Sequence, residues 1–221
     1  MTKLKWDQVG ERLYETGTSR GVLFLLNKEG KYEEGVAWNG LQAVRQSPDG
    51  ADPNDIWADD IKYLTLTSQE NFKGTIEAYT YPEEFEECDG SRQVAEGITV
   101  GQQVRKPFGL AYITKLGNDI EYDDYSEKLH LIYNAKVSPS ERAYETINDT
   151  PEAITFSWEF TTTPQTPESL DLRPSAIVTI ERKAAGENLW SKLIDLVHGT
   201  EEAEPKMPTI DEIVELSKTT I

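Results

Sequence analysis

The side chains in this 221-residue chain that could carry out chemistry are one cysteine, Cys88, two histidines, His130 and His198, and forty carboxylates. Zinc is held by three or four Cys or His ligands at short spacings, and these three residues stand far apart without any such spacing. His130 lies in a strand-like run; His198 closes a helix-like one, where an imidazole suits the negative end of the helix better than a metal. Carboxylates are so frequent that a general acid and base, Glu77 with Glu159 for example, can be paired at will, and the pairing carries no information. The oxygen-rich run Asn118 to Asp124 offers calcium ligands, but it lacks the mid-loop Gly and terminal Glu of an EF-hand. There is no glycine-rich phosphate cradle, no nucleophile elbow and no HExxH. No catalytic residue, cofactor or metal is therefore expected.

The elements that would position any such groups are mostly strands. From Asn148 to Pro164 the turn formers Asn148, Asp149 and Pro151 precede an alternation that puts Ile154, Phe156, Trp158 and Phe160 on one face. Thr155, Ser157, Glu159 and Thr161 take the other face, which predicts a strand of about eleven residues with Phe156, Trp158 and Phe160 in the core. Upstream, Trp6 to Gly21 reads as an extended lead-in arm with little regular structure. The apolar run in Arg20 to Asn27 suits a strand buried on both faces. A second strand is expected from Gly35 to about Arg45, with Asn39-Gly40 as a bulge or tight turn.

Gln46 to Asp60 is polar and rich in turn formers (Ser47, Asp49, Asp52, Asp55) before Ile56 and Trp57 interrupt it; it predicts a long loop. Its two apolar residues either meet a partner or fold back onto the domain. Ile61 to Thr67 and Phe72 to Tyr81 are expected to form a hairpin with each other; in the second, Phe72, Ile76 and Ala78 share the apolar face and Lys73, Thr75, Glu77 and Tyr79 the polar one. Pro82 to Glu87 predicts a helical turn closed by Asp89-Gly90, and an edge strand is placed at Ile98 to Val100. Pro107 to Leu116 and Lys128 to Val137 alternate as strands, the latter with Leu129, Leu131, Tyr133 and Ala135 on one face. Ser138-Pro139-Ser140-Glu141 has the spacing of a capping box and predicts a helical turn. Ser175 to Arg182 is the last strand. Asn188 to His198 carries the apolar stripe Leu189, Trp190, Leu193, Ile194 and Val197 before Gly199, a helix; Thr209 and Glu212 cap a short terminal one. The fold class is mainly β, a sandwich or barrel with a flanking helix, with residues 1–199 as the domain and 200–221 as a linker and short helix.

The formal charge of −18 disfavours a protein that recruits nucleic acid through Lys and Arg. The longest apolar run, Val22 to Leu26, is too short to cross a bilayer, nothing at the start reads as a signal peptide, and Cys88 has no partner for an intramolecular disulfide. A soluble chain made in a reducing cytoplasm is the expectation.

Several wordings together resemble the major tail tube proteins of bacteriophages with long non-contractile tails. They are Gly35-Val-Ala-Trp-Asn-Gly-Leu41, Thr75-Ile-Glu-Ala-Tyr-Thr-Tyr-Pro82 leading to Phe85 and Cys88-Asp-Gly90, Phe108-Gly-Leu-Ala-Tyr112 with Leu116-Gly-Asn-Asp119, Lys128-Leu-His-Leu-Ile-Tyr133, and Asn148 to Pro164. They cover most of the chain, from Trp6 to Pro208. The resemblance implies a barrel or sandwich subunit that forms hexameric rings, which stack into a hollow tube for DNA ejection. It implies self-association as the main partnership, with a tape-measure protein, a tail terminator and a distal tail protein as further partners; DNA passes through unbound, and no membrane is involved. The protein would then reside in the virion tail, assembled in the host cytoplasm. By the same likeness the long loop after the second strand, with Ser47, Asp49, Asp52, Asp55, Ile56 and Trp57, reaches a neighbouring ring. Glu77 is a candidate lumenal residue, since an acidic wall repels phosphates. Some relatives carry an extra C-terminal immunoglobulin-like domain; at this length none is expected here. Two other classes remain open: a carbohydrate-binding module or adhesin, since five Trp are present, and a hydrolase using two carboxylates.

Overall fold

The structure, a computed structural model, describes residues 3–50, 52–144, 146–147 and 153–219. Its centre is a strongly curved antiparallel sheet of β1 (Tyr14–Leu26), β2 (Tyr32–Trp38), β3 (Leu41–Gln46), β8 (Lys73–Ala78), β11 (Phe108–Asn118), β12 (Tyr122–Val137), β13 (Phe156–Thr162) and β14 (Ile177–Glu181). The order is β2-β1-β11-β12-β13-β8-β3, and β14 pairs β12 ahead of β13. The last strand returns toward the first through side chains: Leu41 packs beside Gly21, and the Gln46 amide donates to the Tyr112 hydroxyl at 2.9 Å. Short ladders lie outside this sheet: β4 (Asp49–Gly50) with β7 (Glu70–Asn71), β5 (Pro53–Ala58) with β6 (Ile61–Thr67), and β9 (Arg92–Ala95) with β10 (Ile98–Val100). The helices are α1 (Glu86–Asp89), α2 (Arg182–Ala185), α3 (Glu187–His198) and α4 (Ile210–Lys218). The protein is mainly β, as its composition of aromatic and β-branched runs predicts.

Two apolar layers hold it together. Inside the curve, Trp158 meets Trp38, Phe85 and Tyr81 edge-on at 5.9, 5.0 and 5.4 Å between ring centres, with Phe108, Ile76 and Phe160 around them. Outside it, Val22, Phe24, Leu129, Leu131 and Tyr133 pack beneath Leu189, Trp190, Leu193 and Val197 of α3 and Ile213 of α4. The first layer takes one set of alternate residues from β1, β11 and β12 and the second takes the other, so the central stretches of these strands are buried on both faces. The segment after α3 belongs to this second layer through Met207, while the Tyr133 hydroxyl donates to the Pro208 carbonyl at 3.0 Å.

Local signals account for the element ends. Thr209 and Glu212 form the expected reciprocal cap, at 3.2 and 2.9 Å, before α4. Gly90, at φ 84°, ends α1 in the left-handed conformation that a Cβ disfavours.

Several expectations are overturned. The lead-in arm is regular from Tyr14, because Glu15 and its neighbours find a partner strand in β11. Gly35 to Arg45 is two strands at opposite ends of the sheet, separated at Asn39-Gly40, where Trp38 anchors to the Thr80 carbonyl at 2.9 Å. Ile61 to Thr67 pairs with β5, not with Phe72 to Tyr81, whose ladder partners are β3 and β13. Arg92–Ala95 joins Ile98–Val100 as an unforeseen strand. Ser138 to Glu141 forms no helix; Ser140 instead accepts from the Glu159 amide at 3.2 Å, an alternative that Ser side chains offer the backbone. The strand expected after the turn formers Asn148, Asp149 and Pro151 is seven residues, Phe156–Thr162, with Ile154 outside it and exposed; the turn formers lie outside the described residues. In β12 the face changes partway. A bulge at Asn134, φ 48°, moves Ala135 from the helix-covered side of Leu129, Leu131 and Tyr133 to the inner layer.

Candidate functional site

The stretch expected as a long loop is one arm of a long β-ribbon. Gln46 pairs with Gly74 in the barrel, Asp49 with Asn71 beyond it, Pro53 with Thr67 and Ile56 with Leu64, three short ladders that share one register until it shifts between Ile56 and Trp57. The chain turns back at Asp59-Asp60, both in the left-handed region at φ 51° and 60°, as a two-residue type I′ turn requires and as Asp tolerates better than most residues. The signal was present in the sequence as a polar pair between two apolar-containing runs, but without Gly it was not distinctive. Asp55 ties the arms together, accepting from Thr65 at 2.7 Å and pairing with Lys62 at 2.8 Å. Lys73 reaches Asp49 near the base. Ser47 sits at that base with its amide on the Lys73 carbonyl at 2.8 Å, and Asp52 is exposed farther out.

This ribbon exposes apolar side chains along its outer part: Trp57 is 66 % exposed and Tyr63 67 %, with Ile61, Leu64 and Leu66 also solvent-facing. About twelve residues per arm stand beyond the barrel, a reach of about 40 Å at 3.3 Å per residue. Among the described residues the ladder has no third strand, so both edges carry unpaired backbone groups, a surface that ordinarily invites another strand.

Glu77 lies elsewhere, on the outward face of β8, while Ile76 and Ala78 point into the core. Its carboxylate takes two hydrogen bonds from the Arg45 guanidinium, each 3.0 Å, and these hold its pKa below the usual carboxylate value. Its local partner is thus Arg45. Glu159 occupies the same face, diagonal to Glu77 across the β8 to β13 ladder, and Lys73 and Lys136 join it, so the surface is mixed in sign. Phe156 is half-buried against the inner layer, whereas Trp158 and Phe160 are fully enclosed in it.

The titratable residues singled out in the sequence are dispersed. Cys88 is buried, and burial pushes its thiol up. His198 sits half-buried at the end of α3; its pKa is lowered by burial and then by Arg20. Asn118 caps its own turn, accepting from the Ile120 amide at 3.0 Å, Asp119 accepts from Gly10 at 2.9 Å, and Asp123 pairs with Lys115 at 2.7 Å. Among the described residues no group of three Cys, His or carboxylate side chains could hold a metal.

The sequence places His130 in a strand without identifying its neighbours, which form a polar plug at one end of the inner layer. Its ring stacks on Tyr112 at 4.7 Å. The Thr114 hydroxyl donates to Glu15 at 2.6 Å, so its oxygen receives from His130 Nε2 at 2.8 Å, and Nδ1 receives from Thr179 at 3.2 Å. A neutral imidazole satisfies every member of that chain. Lys128 completes it by donating to Glu15 at 2.6 Å.

A search of protein-family models finds no match, and none of the curated proteins matches. Among solved structures, the six-fold symmetrised cryo-EM structure of the anti-feeding prophage baseplate contains a chain that aligns with 80 % of this one and 97 % of its own length. The identity is 10 % and the TM-score 0.35, too low to show a common fold.

Proposed function

We propose that this chain is a structural subunit of a bacteriophage tail, one that self-associates into hexameric rings stacked as a hollow, DNA-conducting tube, and that it carries out no catalysis. The observation that carries the reading is the ribbon from Gln46 to Gly74, whose apolar outer half and open edges have no partner among the described residues. The wordings from Trp6 to Pro208 that resemble tail tube proteins supply the kind of assembly. In this reading Ile56 and Trp57 reach the next ring, and the face bearing Arg45, Glu77 and Glu159 lines the lumen. A tape-measure protein, a tail terminator and a distal tail protein would complete the tail, which belongs to the virion.

Trp57 and Tyr63, both exposed on one ribbon, also favour a second reading, a carbohydrate-binding module or adhesin. Electron microscopy of the purified protein across a concentration series separates the two. Rings or tubes are expected; a monomer that persists at high concentration and binds glycans overturns the tube reading.

A further inference from the structure

The connection between β12 and β13 runs from 138 to 155, far longer than the two to five residues that usually join paired antiparallel strands. It exposes Tyr144 and Ile147, and among its described residues the contacts with the barrel concentrate at two places. One is Ser140 at its base, on the Glu159 amide. The other is Arg142.

The Arg142 guanidinium enters a pocket made by three residues from separate elements. Tyr81 precedes α1, Asp89 ends it, and Phe156 opens β13. The guanidinium carbon lies 5.9 Å from the Tyr81 ring centre and 5.7 Å from that of Phe156, and a terminal nitrogen pairs with Asp89. Neither wall depends on the ligand. Tyr81 stands nearly perpendicular to Phe156 and to Trp158, both at 5.4 Å, and the Trp158 indole bonds to Asp89. Two aromatic rings and one oriented carboxylate match a planar delocalised cation, which they hold by cation–π attraction and a charge-assisted hydrogen bond. The occupant is also accessible, since the Arg142 side chain keeps 29 % of its exposure while Asp89 keeps 12 %.

We propose that Tyr81, Asp89 and Phe156 form a guanidinium-binding pocket and that Arg142 is its resident, exchangeable ligand, a pin that holds the described part of the β12–β13 connection around 142 against the barrel. A guanidinium from solution, or an arginine of another chain, competes for the same place and frees the loop with Tyr144 and Ile147.

The probe is methylguanidinium at low millimolar concentration, with methylammonium at equal ionic strength as the control. In the wild-type chain it should accelerate hydrogen exchange of the described amides between 139 and 147 at least several-fold, leaving β11 and β12 unchanged, and methylammonium should not. In Arg142→Ala those amides should exchange fast without the probe, and methylguanidinium should shift the Trp158 indole resonance in a saturable way. Asp89→Asn added to Arg142→Ala should abolish that shift. The proposal is overturned if the wild-type loop ignores methylguanidinium or answers methylammonium equally, or if the shift persists without the Asp89 charge. Should Arg142→Ala fail to fold, the wild-type exchange measurement decides alone.

Discussion

Trp158 is the residue on which most of the inner layer converges, so its removal should act on folding. Trp158→Ala leaves a cavity among Trp38, Phe85 and Tyr81 and should cost about 3 to 5 kcal/mol in denaturant unfolding. A variant of wild-type stability would place the ring outside the core. His130 makes a pH prediction. Burial lowers its pKa, against the opposing pull of Glu15, so the unfolded chain binds the proton more readily. Its contribution to stability is therefore complete above the unfolded value of about 6.5 and falls as the pH drops through that value toward the lower folded one. Facing the ring are Glu15 from β1, Tyr112 and Thr114 from β11, Lys128 from its own strand and Thr179 from β14. Denaturant titrations from pH 8 to pH 5 should show a steeper loss for wild type than for His130→Gln; equal slopes would remove the imidazole from the account.

At the scale of elements, the ribbon beyond the barrel is a two-stranded structure, and such hairpins are at best marginally stable in water by themselves. Amides of β5 and β6 should exchange much faster than those of β11 and β12 in the isolated chain and become protected on self-association. Strong protection in both states would show that the ribbon owes its order to the monomer. Trp57→Ser, at an exposed position, should change unfolding free energy within about 0.5 kcal/mol while weakening self-association measured by sedimentation. The terminal helix answers a different experiment. Thr209→Ala removes one half of the reciprocal cap and should cost about 1 kcal/mol, because Met207 and Ile213 couple the helix to the outer layer.

For the whole molecule the formal charge of −18 means that copies repel one another at long range. Added salt, which shortens the screening length from about 30 Å at 0.01 M to about 8 Å at 0.15 M, should promote self-association. Light scattering that falls with salt would point to an assembly driven by attraction between opposite charges. Glu77→Lys tests the proposed lumen. The change would leave Arg45 unpaired beside Lys73 and Lys136 and turn a mixed face cationic at every repeat around the tube. Particles with normal tails that eject DNA slowly, and faster at raised salt, are expected. Normal ejection by an assembled variant would place this face on the outside.

What the sequence determined by itself is what depends on neighbours close along the chain. Alternation marked Phe156, Trp158 and Phe160, the stripe from Leu189 to Val197 marked α3, and the Thr209 and Glu212 pair marked the start of α4. An uninterrupted apolar run likewise marked Val22 to Leu25 of β1 as covered on both faces. Pairing was not legible in this way, because a strand offers the same backbone groups to any partner. Only the tertiary structure joined Ile61–Thr67 to Pro53–Ala58 and gave Phe72 to Tyr81 its neighbours β3 and β13, thereby turning an expected loop into a ribbon. It also decided which face Ala135 takes, since one residue in the left-handed region at Asn134 reverses the alternation beyond it. The ionic partners followed from that pairing. Glu77 faces Arg45, and Arg142 reaches Asp89, because the sheet and the β12–β13 loop bring together side chains that lie far apart in the chain.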